Sequence, residues 1–122
     1  MESVYDLYQH GCDLLDQGDY HAAIVPLSRA RDFEPEKASI REALGRALFH
    51  AQHYEGAAAE FEAVAQNTPT NDYALFCLGR SMQLLGRHRE ACQPLALACS
   101  LRPEREDYRV YRDRARRDAT RS

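Results

Sequence analysis

The sequence lacks the features of membrane-spanning, secreted and disordered chains. Its 122 residues include no tryptophan, and no stretch approaches the roughly 18 uninterrupted apolar residues of a membrane span. The first residues, MESVYDLYQHGCD, contain acidic side chains and no apolar run, so we predict no secretory signal. Five prolines and six glycines are too few for a disordered or collagen-like chain, and 44% apolar residues can form a core. We therefore expect a single domain that stays in the cytoplasm.

Disulfide and metal-site patterns are also missing. Four cysteines occur, none of them in a Cys-x-x-Cys pair: Cys12, Cys77, Cys92 and Cys99. In a chain that is not exported we expect them to be reduced. His50 and His53 come nearest to a metal pair, but a zinc site needs further ligands and no residue supplies them at a recognisable spacing. We predict neither a metal site nor a cofactor.

Catalytic motifs are absent from the sequence. It contains no G-x-S-x-G, no glycine-rich phosphate-binding loop and no H-E-x-x-H. No serine stands in an activating pattern of neighbouring residues. We therefore predict that the protein is not an enzyme.

The charge is distributed unevenly along the chain. Residues 1–101 carry 8 Lys or Arg against 14 Asp or Glu, whereas residues 102–122 carry 8 Arg against 5 Asp or Glu. Acidic residues interrupt every basic run of the C-terminal segment, and this favours a solvated helix over a nucleic-acid surface. We predict no nucleic-acid partner and no membrane partner.

An internal repeat of 34 residues organises the chain. Four columns of residues keep this interval: Gly11, Gly45 and Gly79; Ala23, Ala57 and Ala91; Leu27, Phe61 and Leu95; Pro35, Pro69 and Pro103. Such periodicity is the mark of a repeat architecture. The repeats run approximately over 4–37, 38–71 and 72–105.

Each repeat is predicted to form two helices joined by a short turn. Apolar residues at helical spacing, turn residues and the closing prolines predict helices over 4–17, 20–33, 38–51, 54–67, 72–85 and 88–101. In the first helix, Leu7, Gly11 and Leu14 form the predicted core stripe. Small residues at Gly and Ala columns permit the close approach of crossing helices.

The sequence resembles the tetratricopeptide repeat family. The resemblance rests on L-x-x-H-G-x-x-L, R-x-x-L-G-x-x-L and L-x-x-L-G-x-x-M, which begin at Leu7, Arg41 and Leu75, each followed by an Ala-containing helix and a proline. It implies an all-α fold, a right-handed α-solenoid of three antiparallel helix pairs. The chain departs from the family pattern at Arg41, where tryptophan is common, at His10, where leucine is usual, and at His88, where tyrosine is usual.

The C-terminal segment does not continue the repeat. Asp113 falls where the glycine column would continue, while Tyr108, Tyr111 and Ala115 form one apolar stripe among charged residues. We predict a capping helix over 105–118 that covers the apolar end of the third repeat. Residues 119–122 are predicted to be a disordered tail.

A second stripe on the first helices is not required by the core. In the family this stripe lines a concave surface that holds a peptide, and the resemblance implies the following binding residues: Tyr5, Tyr8, Cys12, Glu42, Arg46, Phe49, His50, Tyr73, Phe76, Arg80 and Leu84. Arg46 and Arg80 are one repeat apart, and Arg114 continues this ladder if the cap keeps the repeat phase. Arginine suits carboxylates and aromatic rings.

The predicted function is that of an adaptor or scaffold that binds another protein or a short peptide, with acidic and apolar or aromatic side chains. Two alternatives remain open: a small holding chaperone for an apolar client segment, and a regulatory subunit packed on an enzyme. The structural alternative for the stripe is that its tyrosines pack against neighbouring repeats and its arginines are solvated or paired with Glu42. One family subclass clamps chaperone peptides with Lys and Asn where this chain has Tyr8 and Cys12, so that subclass is not expected.

Overall fold

The structure, a computed structural model, describes residues 2–121 and contains seven α-helices and no strand over that range. The helices are α1 (Val4–Asp16), α2 (Tyr20–Phe33), α3 (Ala38–His50), α4 (Tyr54–Asn67), α5 (Asp72–Leu84), α6 (His88–Leu101) and α7 (Glu106–Arg121). The predicted all-α class is confirmed, and the first six helices begin and end within one residue of the predicted bounds.

The last helix is longer than the sequence suggested. It continues to Arg121, through positions where we predicted a disordered tail after residue 118. Thr120 Oγ1 donates a hydrogen bond of 2.7 Å to the carbonyl oxygen of Arg117, one turn back. No proline or glycine interrupts the final turn, so the helical pattern persists. Ser122 lies outside the described residues.

The chain divides into two compact units, residues 1–60 and 61–122, with the boundary inside α4. In unit 1, α2 packs on both α1 and α3. In unit 2, α6 packs on both α5 and α7. The description of one tetratricopeptide domain over the whole chain stays a prediction.

The glycine column lets the two helices of a repeat approach closely. A Cβ atom on Gly79 of α5 would lie 2.5 Å from Cγ of Leu95 on α6. A Cβ atom on Gly11 of α1 would likewise clash with Leu27 of α2, coming within 2.6 Å of its Cδ2 atom. Both leucines are fully buried. The Gly and Leu columns of the sequence are therefore two sides of one contact.

Three helix ends share the same turn geometry at intervals of one repeat. Gly18, Gln52 and Gly86 have φ angles of 80°, 67° and 79°, in the left-handed region. After each of them, a backbone N–H reaches back five residues, as in the 2.8 Å bond from His53 N to Leu48 O. This is the Schellman pattern of helix termination. The turns reverse the chain and make the joined helices antiparallel.

The core of unit 1 also contains a charged group. Glu60 is 5% exposed, and its two carboxylate oxygens accept hydrogen bonds from Arg31 Nη1 (2.7 Å) and Arg41 Nη1 (2.8 Å). Arg41 also donates from Nε to the carbonyl oxygen of Pro35 (2.6 Å). Arg41, at the position where the family commonly has tryptophan, therefore helps to neutralise the buried carboxylate of Glu60.

Within unit 2, the face of α7 that packs on α5 and α6 is apolar, and a different face is charged. Tyr108 and Ala115 are fully buried. Asp113, at the position of the glycine column, is exposed and pairs with Arg112 (3.0 Å). The helix thus packs on α5 and α6, and its role as a cap of the third repeat stays a prediction.

Candidate functional site

Two rows of residues lie side by side on the first helices of unit 1, and we call them the α1–α3 face. The face comprises Tyr5, Tyr8 and Cys12 on α1 and Ser39, Glu42 and Arg46 on α3. Burial raises the pKa of Tyr8; the Cys12 thiol and the Glu42 carboxylate raise it further, and the Ser39 hydroxyl lowers it. Tyr8 and Ser39 also line the same recess, so the two rows adjoin at this point.

Arg46 lies at one end of this face and is exposed. Glu42 and Arg46 are one helical turn apart on α3. Within residues 2–121, however, Arg46 makes no hydrogen bond and no ion pair. Its guanidinium is available to a carboxylate from outside the chain.

A cleft opens at the other end of the α1–α3 face, and we call it the α1–α3 cleft. It has a volume of about 340 Å³ and is lined by Val4, Tyr5, Tyr8, Glu34, Lys37, Ser39 and Ile40. Ile40 is buried, and Val4 and Tyr8 pack against its cluster, so the floor is apolar. Tyr5 is 70% exposed at its edge. The cleft offers an apolar recess beside two predicted binding residues.

Phe49 and His50, both predicted as binding residues, take part in an aromatic cluster of unit 1. The His50 ring stacks on Tyr20 with centroids 4.7 Å apart, and it meets Phe49 edge to face at 5.8 Å. Phe49 in turn contacts Tyr54 at 5.4 Å. His50 is exposed and Phe49 is half-buried. The cluster fixes the end of α3 beyond Arg46.

Arg80, the repeat equivalent of Arg46, is engaged within unit 2. Its guanidinium lies 4.0 Å from the ring centroid of Tyr111 on α7, and its Nη1 donates a hydrogen bond of 2.9 Å to Gln83 Oε1. Gln83 Nε2 donates to the carbonyl oxygen of Tyr111 (2.9 Å). Arg114 also approaches that ring, at 4.9 Å. Arg80 and Arg114, which are successive positions of the predicted arginine ladder, therefore both contact the ring of Tyr111.

The remaining predicted residues of unit 2 differ in exposure. Phe76 is half-buried and stacks on Tyr108 with centroids 4.5 Å apart. It thus contributes to packing between α5 and α7, a role that we did not assign to it from the sequence. Tyr73 is 39% exposed and contacts the Phe61 ring edge to face, while Leu84 is 43% exposed.

Some features of the predicted pattern hold, and others were missed. His10, at the position where leucine is usual in the family, is exposed. Tyr111, the partner of Arg80, was assigned to the cap stripe alone. No signal in the repeat pattern marks it, since its equivalent in the third repeat is Cys77. The role of the predicted binding residues stays a prediction.

The described part of the chain has neither a metal-binding cluster nor a membrane-spanning helix. No group of three or more His, Cys, Asp or Glu residues there is arranged to hold a metal ion. None of the helices from α1 to α7 is both long and apolar enough to cross a membrane. The four cysteines are free thiols in the structure.

The chain belongs to the tetratricopeptide repeat family, because the tetratricopeptide repeat family model matches residues 8–72. It is similar to the mouse protein Superkiller complex protein 3, with 28% identity over 94 residues. That alignment covers 77% of this chain and only 6% of the mouse protein.

Solved structures with the same fold span most of the chain. MamA (MSR-1) has a TM-score of 0.90 at 23% identity, and the match covers 98% of this chain and 68% of that one. The first tetratricopeptide domain of Spaghetti (RPAP3), bound to the HSP90 peptide SRMEEVD, has a TM-score of 0.87 at 18% identity. That match covers 98% of this chain and 94% of the Spaghetti chain. A chain of the CopN–Scc3 complex has a TM-score of 0.77 at 19% identity, and the match covers 92% of this chain and 66% of that one. At these identities the likeness shows the fold.

Proposed function

We propose that this protein is an adaptor that holds a short segment of a partner protein against the first helices of its repeats. The observation that carries the proposal is Arg46, exposed and unpaired on the α1–α3 face, with an apolar cleft at the other end of that face. Arginine forms charge-assisted, bidentate hydrogen bonds with carboxylates. The partner segment therefore combines an acidic group with an apolar or aromatic side chain.

The similar structures support a protein or peptide partner. One of them holds an HSP90 peptide, and another is a complex of two proteins. Tyr8 and Cys12 occupy the positions at which the chaperone-peptide subclass of the family places Lys and Asn. A tyrosine and a thiol cannot supply the positive charge of that clamp at neutral pH, so this protein selects a different segment.

Unit 2 offers an equivalent but partly occupied surface. Tyr73, Arg80 and Leu84 take the positions that Tyr5, Arg46 and His50 take in unit 1, one or two repeats earlier. Arg80 already contacts Tyr111 and Gln83, so a ligand there must compete with these contacts. We propose that Arg46 contributes more binding energy than Arg80.

The experiment is an affinity pull-down with mass spectrometry, run in parallel on the wild type and on Arg46→Glu. A partner of the proposed kind is enriched by the wild type and lost with the charge-reversed variant. Arg29→Glu is the matched control, because Arg29 is an exposed arginine on α2. Identical sets of captured proteins for all three chains would contradict the proposal.

A holding chaperone is the second candidate, and exposed apolar side chains on α2 favour it. Val25 is 62% exposed and Phe33 is 66% exposed. Such side chains can cover an apolar client segment that otherwise precipitates. Light scattering of an aggregating client separates the candidates, since Phe33→Ser weakens protection by a chaperone and leaves binding at Arg46 unchanged.

A further inference from the structure

The α1–α3 cleft has the chemistry of a recess for one uncharged side chain. Its floor is formed by Val4, Tyr8 and Ile40, and its volume of about 340 Å³ reaches the lower end of the range for ligand pockets. Glu34 and Lys37 lie at its edge with opposite charges, so the lining carries no net charge. A leucine or phenylalanine side chain matches this recess better than a charged one.

The residues of α3 that carry the cleft and the Arg46 guanidinium have a fixed backbone separation. Ser39, in the cleft lining, and Arg46 are seven residues apart on α3. Seven residues are almost two full turns, so the two positions share one face of the helix about 10 Å apart. Glu42, a polar residue, lies between them on that face. Arg46 is the exposed cation of this row, so it binds an acidic side chain of the partner.

A partner segment in the polyproline II conformation matches this distance. That helix has about three residues per turn and rises about 3.1 Å per residue, so residues i and i+3 project on one side about 9 Å apart. An amphipathic helix needs a continuous apolar stripe in its groove. The α3 row has Glu42 instead between the cleft and Arg46.

We infer that the partner is an extended segment in which an apolar side chain and an Asp or Glu are separated by two residues. The apolar side chain fills the α1–α3 cleft, and the carboxylate binds Arg46. The inference rests on the proposed function and deepens it, because it names the partner's sequence pattern and its conformation.

Synthetic peptides test the inference on the full chain. Each peptide is acetylated and amidated to remove terminal charges, carries one Phe and one Asp, and differs only in the number of Pro or Ala residues between them. A second series reverses the order of Phe and Asp. A peptide with a free C-terminal carboxylate in place of Asp distinguishes a terminal from a side-chain carboxylate. Fluorescence polarisation measures each dissociation constant.

The expected optimum is two intervening residues in one of the two orders. Arg46→Gln removes the preference for Asp and weakens the best peptide roughly tenfold, as expected for a lost hydrogen bond to a charged group. Ser39→Trp fills the cleft and removes the preference for Phe. Arg29→Gln, an exposed arginine on α2, leaves the whole series unchanged.

Three results overturn the inference: equal affinity at every spacing, an optimum at about six intervening residues, as a helical partner requires, or no half-saturation of any peptide by about 1 mM. The proposed function fails separately. If an identified partner lacks the pattern but still depends on Arg46, only the inference falls. If its binding ignores both Arg46→Gln and Ser39→Trp, the proposed function falls as well.

Discussion

The hydroxyl of Tyr108 on α7 donates a hydrogen bond of 2.8 Å to Oδ2 of Asp72, the first residue of α5. Arg102, after the end of α6, donates from Nε to the other carboxylate oxygen (3.3 Å). Burial opposes the charge of Asp72, but these two hydrogen bonds outweigh it and hold the pKa of Asp72 below its usual value. One carboxylate thus connects the start of α5 to α7 and to the residue that follows α6.

Replacing Tyr108 by phenylalanine removes this connection and keeps the buried ring. Because a hydrogen bond to a charged group is worth about 1.5–3 kcal/mol, we expect Tyr108→Phe to lower the unfolding free energy by about 2 kcal/mol. Urea denaturation followed by circular dichroism measures the change. Tyr111→Phe is the matched control, since its ring contacts remain. A Tyr108→Phe variant with the unfolding free energy of wild type would show that the Tyr108 hydroxyl stabilises nothing.

The same carboxylate predicts acid sensitivity. Because the pKa of Asp72 is lower in the folded chain than in the unfolded chain, its contribution is present above the unfolded pKa, about 3.9. The contribution is lost as the pH falls through the folded-state pKa. The unfolding free energy of wild type should therefore exceed that of Asp72→Asn at pH 6, and the difference should shrink in acid. A difference that is constant across this titration would contradict the assignment.

The contact between Gly79 and Leu95 predicts a severe effect for the smallest possible substitution. A methyl group at Gly79 lies 2.5 Å from Cγ of Leu95, so Gly79→Ala should destabilise by about 1–3 kcal/mol through overpacking. Gly56→Ala is the control, because its Cβ comes no closer than 3.4 Å to the Leu48 side chain. Since alanine favours helix, that variant should gain up to about 1 kcal/mol. Thermal unfolding of both variants checks the contrast.

Gln52 is the non-glycine residue at a turn whose equivalents are Gly18 and Gly86, and its φ of 67° is strained for a side chain. Gln52→Gly should therefore raise the unfolding free energy by about 1 kcal/mol. Gly18→Ala should lower it by a similar amount, about 1 kcal/mol, and no atom lies within 4 Å of the added Cβ. A Gln52→Gly variant less stable than wild type would mean that the side chain outweighs the backbone strain.

The helices were predictable because local signals repeat at one interval. Prolines and left-handed turn residues mark the ends, and the Gly and Leu columns mark the contact within each pair. The choice between Leu14 and Leu15 was not predictable in this way. Leu15 is 7% exposed and Leu14 is only half-buried, whereas we assigned Leu14 to the core. The pairing of α1 with α2 does not determine which leucine of α1 is buried, because residues of α3 also belong to the core cluster that contains Leu15.

The candidate site was predictable only in outline. The 34-residue interval predicted that Arg46 and Arg80 are equivalent. Their surroundings differ, because residues that do not follow the repeat pattern contact one arginine and not the other. Tyr111, on a helix that does not follow the repeat pattern, engages Arg80. No such residue reaches Arg46 within the range 2–121. Equivalent positions in the repeat thus carry different chemistry.

The most direct measurement is an isothermal titration of an identified partner peptide against wild type, Arg46→Gln and the control Arg29→Gln. Loss of a hydrogen bond to a carboxylate predicts that Arg46→Gln binds roughly tenfold more weakly, with an unchanged circular dichroism spectrum. Added salt should weaken wild-type binding more than binding by this variant. Arg29→Gln should bind as wild type does. Equal affinity of all three folded chains would contradict the assignment of the α1–α3 face as the binding surface.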